Sequence, residues 1–164
     1  MRRAFIVYIR PIVEYNTLVW SPCSKHLVDL VEGVQRNFTK RIPSLSHFSY
    51  AERLAMLDLD TLELRRLRFD LIFYYKVFND LNPFSPSSVF TMHSPPLCLR
   101  TNNVILSKPI KTNNKVLSTV FYRSIDPWNH LPLALRSAPT LSAFKRGLQL
   151  IDLHTYLKGT VNSV

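Results

Sequence analysis

Residues 61–78, TLELRRLRFDLIFYYKVF, decide the fold that the sequence predicts. One side of this stretch is apolar at the three- and four-residue steps of an α-helix. Its members are Leu64, Leu67, Leu71, Tyr74 and Phe78. Further apolar residues between Phe69 and Val77 widen this face, so the helix should be largely buried or buried on two sides. Thr61 is expected to cap its amino end, with Glu63 in the first turn.

A second helix is predicted upstream, beginning at an N-cap, Ser24, and closed by Pro43. The apolar residues of its predicted face share the same helical spacing. They are Leu27, Leu30, Val31, Val34 and Phe38. Lys40 and Arg41 fall in its last turn, where positive charge is favoured by the helix dipole.

Two further helices are predicted before residue 61. Residues 2–20 are apolar and helical in pattern, and Pro11 is expected to start, kink or break that helix. Ser49 and Glu52 have the spacing of a capping box, which predicts a short helix ending near Asp58.

The chain beyond residue 82 is less regular. Prolines and serines over residues 82–96 predict a linker or irregular crossing, and residues 104–106 predict a short strand. Helical spacing returns from about residue 116, with Pro127 as an interruption. A last helix is expected to be capped by Thr140 or Ser142.

These patterns predict a mostly α fold. We expect a helical bundle with an irregular Pro/Ser-rich crossing and a C-terminal helical tail. The corresponding regions are a helical region over 1–82, a linker with the possible short strand over 83–114 and a helical tail over 115–155.

The charge of the chain predicts its class of partner. Its 164 residues include 21 Lys and Arg against 11 Asp and Glu, which gives a formal net charge of +10. Such a surplus indicates a polyanionic partner, nucleic acid before membrane. The net charge is +4 over residues 1–41, −1 over 42–82 and +7 over 83–164. A binding surface should therefore be built from the two ends of the chain.

Eight basic residues on the predicted helices are candidates for contacts to phosphates. They are Arg36, Lys40, Arg41, Arg65, Arg66, Arg123, Lys145 and Arg146. Lys and Arg neutralise phosphates and release counterions, without specifying a base sequence. For any single residue the competing interpretation is a solvated helix face with ion pairs such as Glu32–Arg36.

Other chemistry has weaker support in the sequence. A tetrahedral zinc set could be formed by Cys23, His26, His93 and Cys98, although its halves are not paired at finger spacing. Asp58 and Asp60 form the only close aspartate pair, and backbone capping explains them better than two-metal catalysis. No nucleophile elbow is present. We therefore predict no catalytic residue, metal or cofactor.

The sequence favours an intracellular chain. The apolar run after Arg3 stops at Arg10 and is shorter than the core of a signal peptide. No run approaches the roughly 18 apolar residues of a membrane helix. Two cysteines fit a reducing compartment. We expect a soluble protein of the nucleus or cytoplasm that is neither secreted nor bound to a membrane.

Four stretches resemble one family when taken in order. They are YIRPIVEY…WSP over 8–22, LVEGVQRNFTKRIP over 30–43, YAERL…LxLxTLExRRLRxDL over 50–71, and WNxLP…APTLxxFK over 128–145. Their order and spacing are similar to the C-terminal part of the reverse transcriptase of LINE-type non-LTR retrotransposons of the jockey kind. The resemblance covers about residues 5–150.

This resemblance implies a helical thumb and an appended helical tail that grip the template–primer duplex. The catalytic Ala-Asp-Asp block of that family lies upstream, and nothing here matches it. The implied chain is thus no enzyme on its own, although the family's full-length protein is an RNA-directed DNA polymerase. Its implied partners are RNA or an RNA–DNA duplex, and a reverse transcriptase palm domain. The alternatives are a helical module that docks on a polymerase core, or an inert retroelement remnant.

Overall fold

A computed structural model describes residues 1–22, 24–93, 105–108 and 119–159. These residues are mostly helical, as the sequence predicts. Contacts divide the chain into a first unit, Met1–Arg66 with Tyr156–Val164, and a second unit, Leu67–Thr155. The division falls within the helix α5 (Leu62–Phe78). The regions 1–82, 83–114 and 115–155 stay a prediction.

The first unit begins with a helix that changes its hydrogen bonding halfway. Its elements are α1 (Arg2–Ala4), a π-helical segment (Phe5–Ile9), α2 (Arg10–Val13), α3 (Lys25–Lys40), a 3-10 turn (Pro43–Leu45) and α4 (Tyr50–Leu57). Pro11 has no N–H, and just before it the N–H of Arg10 donates to the carbonyl of Phe5, five residues back. The helix ends earlier than predicted: residues 14–19 form turns, with Asn16 at a left-handed φ of 52°.

Each predicted cap in the first unit is confirmed. The Ser24 hydroxyl oxygen accepts a hydrogen bond from the α3 backbone at 3.4 Å. Ser49 and Glu52 form a complete capping box on α4, with bonds of 3.3 and 2.8 Å. The Thr61 hydroxyl oxygen caps α5 at 3.1 Å. Local side-chain chemistry therefore determines where these helices begin.

Helix α3 is buried on a different face from its apolar one. Its buried residues are mostly polar: Val28, Glu32, Gln35 and Thr39. The predicted apolar face includes Leu27, Leu30 and Val34, which are 46%, 58% and 40% exposed. The apolar core of the unit lies around Phe5, Leu54 and Leu59, and α3 contributes Phe38 to it, with its ring 5.1 Å from that of Phe5.

The Glu32 carboxylate explains why a polar face of α3 is buried. It accepts hydrogen bonds from the backbone N–H groups of Leu62, at 2.9 Å, and Glu63, at 3.4 Å. It also accepts one from the Tyr50 hydroxyl. These N–H groups open α5 and have no partner within that helix. Glu32 thus joins α3 and α4 to the positive end of the α5 dipole.

The last described residues also meet the start of α5. The Glu63 carboxylate accepts hydrogen bonds from the N–H groups of Lys158 and Gly159, each at 2.8 Å. A Cβ atom on Gly159 would come within 2.9 Å of that carboxylate and 3.3 Å of Val28. A larger residue here would require the Glu63 side chain to move away from these N–H groups.

The second unit combines most of α5 with shorter elements. They are α6 (Pro86–Val89), β1 (Thr91–His93), β2 (Ile105–Ser107), α7 (Val120–Arg123), α8 (Ile125–His130), α9 (Leu133–Arg136) and α10 (Leu141–Gln149), followed by a 3-10 turn (His154–Tyr156). The strands pair antiparallel with Met92 opposite Leu106, and residue 104 of the predicted strand lies outside the described residues. Pro127 does not interrupt α8, because a first-turn residue needs no N–H partner within the helix.

Aromatic side chains from α5 form the centre of the second unit. The rings of Tyr75 and Phe144 stack with centroids 4.4 Å apart, and Tyr74 lies 5.5 Å from Trp128. The Tyr75 hydroxyl donates to the carbonyl of Ala138 at 2.7 Å. The prediction of a largely buried α5 is confirmed, since these tyrosines are almost fully buried.

A buried carboxylate also ties α5 to the start of the C-terminal helices. Asp70 accepts two hydrogen bonds from Arg123, at 2.7 and 2.6 Å, and one from the Ser124 hydroxyl at 2.9 Å. The side chains of Asp70 and Arg123 are only 4% and 16% exposed. Removing one partner of such a buried pair strongly destabilises the protein.

We expect Asp70→Ala to lower the free energy of unfolding by about 3–5 kcal/mol, because it leaves Arg123 buried without that carboxylate. Urea unfolding measures the change. The control is Asp126→Ala, which removes the carboxylate of an exposed pair with Lys108 and should cost no more than about 1 kcal/mol. Equal losses in the two variants would contradict this assignment.

Glu32 should give the stability of the protein a recognisable pH dependence. Burial raises the pKa of Glu32 above its ordinary 4.5, outweighing the hydrogen bond from Tyr50. Between the ordinary and the raised pKa, the folded chain binds more protons than the unfolded chain. The free energy of unfolding should therefore fall as pH rises through this window. Glu32→Gln should remove that fall in urea titrations from pH 4 upward. The same slope in both chains would exclude Glu32 as its source.

Candidate nucleic-acid interface

The eight basic residues predicted to contact phosphates lie in both units. Those of the first unit are Arg36, Lys40, Arg41, Arg65 and Arg66. Those of the second unit are Arg123, Lys145 and Arg146. Some of these side chains form ion pairs or hydrogen bonds within their own unit. Others are exposed to solvent, and only their charge is available to a ligand.

Arg65 and Arg66 hold the first segment of the chain against α5. Arg65 forms a two-point ion pair with Glu14, in which its Nη2 donates at 3.0 Å. Arg66 is 3% exposed and donates to the carbonyl of Val13 at 3.4 Å. Its guanidinium carbon also lies 5.4 Å from the centre of the Trp20 ring. Both residues thus have a structural task in the first unit, where Arg65 is neutralised by Glu14.

The basic residues of the second unit divide in the same way. Arg123 is paired with Asp70 and belongs to the buried network of that unit. Lys145 and Arg146 are exposed neighbours on α10, whose opposite face buries Phe144 and Leu148. Charge on this helix is thus available to solvent only at Lys145 and Arg146.

The carboxyl end of α3 brings three predicted residues together. Lys40 and the C-cap Arg41 are exposed. Arg36 is half-buried, with its guanidinium carbon 5.2 Å from the centre of the Tyr50 ring. Within the described part of the chain, no ion pair joins any of the three to a carboxylate. Glu32 turns towards α5 instead of forming the i,i+4 pair with Arg36.

This end of α3, defined by Arg36, Lys40 and Arg41, is suited to binding phosphate. The partial negative charge of the helix terminus stabilises cations there. A guanidinium held against an aromatic ring keeps its planar donors ready for two-point binding of phosphate oxygens. Such contacts would hold a nucleic-acid backbone without selecting a base sequence.

Two residues that support this end of α3 are absent from the predicted set. Tyr50 carries Arg36 on its ring, and Arg53 lies 5.6 Å from the centre of the same ring. Arg53 is buried, and its Nε donates to the hydroxyl of Thr39 at 3.2 Å. The capping box places Tyr50 at the first position of α4, but nothing local in the sequence links it to α3.

The remaining sequence candidates are not assembled into a site by the described residues. No group of three or more His, Cys, Asp or Glu side chains that could hold a metal ion occurs among them. Cys23 and Cys98 of the candidate zinc set lie outside the described residues. Asp58 occupies the C-cap position of α4 with a left-handed φ of 48°, and its carboxylate pairs with Arg2 at 2.8 Å.

In the ranges that the structure covers, no helix combines the length and the apolar character needed to cross a bilayer. Comparison with known proteins gives no relative: no family model matches the chain, no curated protein is significantly similar to it, and no solved structure matches it.

Proposed function

We propose that this chain is a non-catalytic C-terminal fragment of a retrotransposon RNA-directed DNA polymerase. Its task is to hold template–primer nucleic acid through contacts to backbone phosphates. The proposed location is intracellular, in the nucleus or the cytoplasm. The observation that carries the proposal is the end of α3, where Arg36, Lys40 and Arg41 have no carboxylate partner within the described part of the chain.

The distribution of charge supports this proposal. The chain has a formal net charge of +10, and Arg65 and Arg123 are already paired with carboxylates. The available positive charge therefore includes Lys40 and Arg41 in the first unit, and the exposed pair on α10 in the second. An unneutralised cationic surface gains affinity for a polyanion through release of its counterions.

Binding to an RNA–DNA duplex should weaken steeply as salt is raised. For Lys40→Ala, the slope of the logarithm of affinity against the logarithm of salt concentration should become shallower by about one unit. Lys25→Ala is the matched control, because Lys25 is an exposed lysine in the first turn of the same helix. Fluorescence anisotropy over a salt series measures both slopes. Equal slopes for the two variants, or no binding at low salt, would refute the proposal.

An exposed apolar surface favours a second candidate function, a helical module that docks on a polymerase core. In addition to the exposed face of α3, the first segment of the chain exposes large apolar residues, each at least 58% exposed. They are Val7, Tyr8, Ile12, Tyr15 and Val19. Exposed apolar surface of this extent in one unit is typical of a binding surface rather than of a free-standing chain. A palm domain is the proposed occupant.

The docking candidate predicts that Leu30→Glu weakens binding to a purified reverse transcriptase palm domain by tenfold or more, since it would bury a charge in an apolar contact. The control is Ala55→Glu, which adds the same charge at an exposed position of α4. Isothermal titration calorimetry measures the affinity of each variant for the palm domain. If Leu30→Glu binds as the parent chain does, the exposed face of α3 is not the docking surface.

A further inference from the structure

The loop that follows α3 contains two neighbouring rings in contact. His47 is exposed and Phe48 is half-buried. Their ring centroids are 4.2 Å apart, with a tilt of 38° between the planes. Because Phe48 covers one side of the imidazole and His47 is exposed, the other side can accept a further planar group. A nucleic-acid base is such a group, since every base has a flat π face.

A buried arginine holds this ring pair close to the basic end of α3. The Nη1 atom of Arg53 donates to the carbonyl of Phe48, while its Nε donates to the Thr39 hydroxyl at 3.2 Å. Thr39 is fully buried and directly precedes Lys40 in the chain. One guanidinium thus spans the distance between the loop and the last turn of α3.

The aromatic support beneath Arg36 is also held in place. The Tyr50 hydroxyl donates to Glu32 and accepts a hydrogen bond from Gln35 Nε2 at 3.1 Å. Gln35 Nε2 donates in addition to the carbonyl of Asp60 at 2.9 Å. Arg36 therefore rests on a ring whose position is determined by buried partners, which reduces the entropy lost when it binds an anion.

We propose that the carboxyl end of α3 and the His47–Phe48 ring pair together bind single-stranded nucleic acid. An unpaired base stacks on His47, and the adjoining phosphates contact Lys40 and Arg41. This inference rests on the proposed function and deepens it by naming the kind of nucleic acid that the first unit prefers. Inside a duplex both faces of each base are covered by neighbouring bases, so stacking on a side chain requires an unpaired or terminal nucleotide.

One acidic residue lies beside this surface. The Glu52 carboxylate accepts a hydrogen bond from the Ser49 N–H at 2.8 Å and lies near His47. A phosphate placed directly at His47 would be repelled by Glu52, whereas an uncharged base would not. This arrangement favours stacking at His47 and phosphate contacts on the α3 side.

The test compares three fluorescent ligands: a blunt RNA–DNA duplex, the same duplex with a single-stranded overhang, and the overhang as a free oligonucleotide. The parent chain should bind the overhang duplex more tightly than the blunt one. His47→Ala should weaken binding of the overhang duplex and the free strand by about tenfold and lower blunt-duplex affinity by less, since a blunt end exposes only one face of its terminal bases. His47→Trp should bind as tightly as the parent chain, because tryptophan also offers a planar ring on which a base can stack.

His26→Ala is the matched control, since His26 is an exposed histidine in the first turn of α3. It should change none of the three affinities, and circular dichroism verifies that each variant folds as the parent does. If no ligand binds, the proposed function fails and this inference fails with it.

Two outcomes overturn the inference alone. In one, blunt and overhang duplexes bind equally well and His47→Ala has no effect, so duplex binding stands without a single-strand preference. In the other, a poly-glutamate peptide competes as well as the free oligonucleotide does, so the surface recognises charge without stacking.

Discussion

The Glu32 carboxylate at the start of α5 is the contact on which the first unit depends. It brings a helix face, the ring of Tyr50 and the open N–H groups of Leu62 and Glu63 to one buried point. Burial of a charge is costly unless hydrogen bonds compensate it, and here several converge on one group. With α5 placed by Glu32, Arg65 can reach Glu14 in the first segment.

The buried polar face of α3 changes how the first unit is stabilised. Glu32 and Thr39 accept hydrogen bonds and Gln35 donates one on this face, in addition to the packing of Phe38 against the core. Directional contacts of this kind tolerate little rearrangement, because a buried polar group that loses its partner costs about 1–3 kcal/mol. Leu27, Leu30 and Val34 of α3 are left on the surface, where they can contact a partner.

Local features of the chain could be predicted from the sequence, and distant contacts could not. The caps at Ser24, Ser49 and Thr61 depend on side chains within three residues of the groups they bind, so spacing alone identified them. The buried face of α3 depends on N–H groups thirty residues away. Hydrophobic spacing therefore predicted the helix but could not show that its polar residues Glu32, Gln35 and Thr39 are buried.

The basic residues illustrate the same limit. Lys40 and Arg41 could be placed at the end of α3 because positive charge is favoured there and Pro43 closes the helix, and both are exposed. Arg65 and Arg123 carry the same charge, yet each meets a carboxylate more than fifty residues away. The sequence does not distinguish these four residues. Only the fold shows which of them are paired with carboxylates and which are exposed.

The contact between Glu63 and the N–H groups of Lys158 and Gly159 affects how the protein is made. The first unit is formed by two separate parts of the chain, and the second unit is the continuous stretch between them. At roughly 5–20 residues per second, translating that stretch takes on the order of ten seconds. The helices before residue 67 therefore emerge before their contact with Gly159 can form, and a chaperone could act on them during this interval.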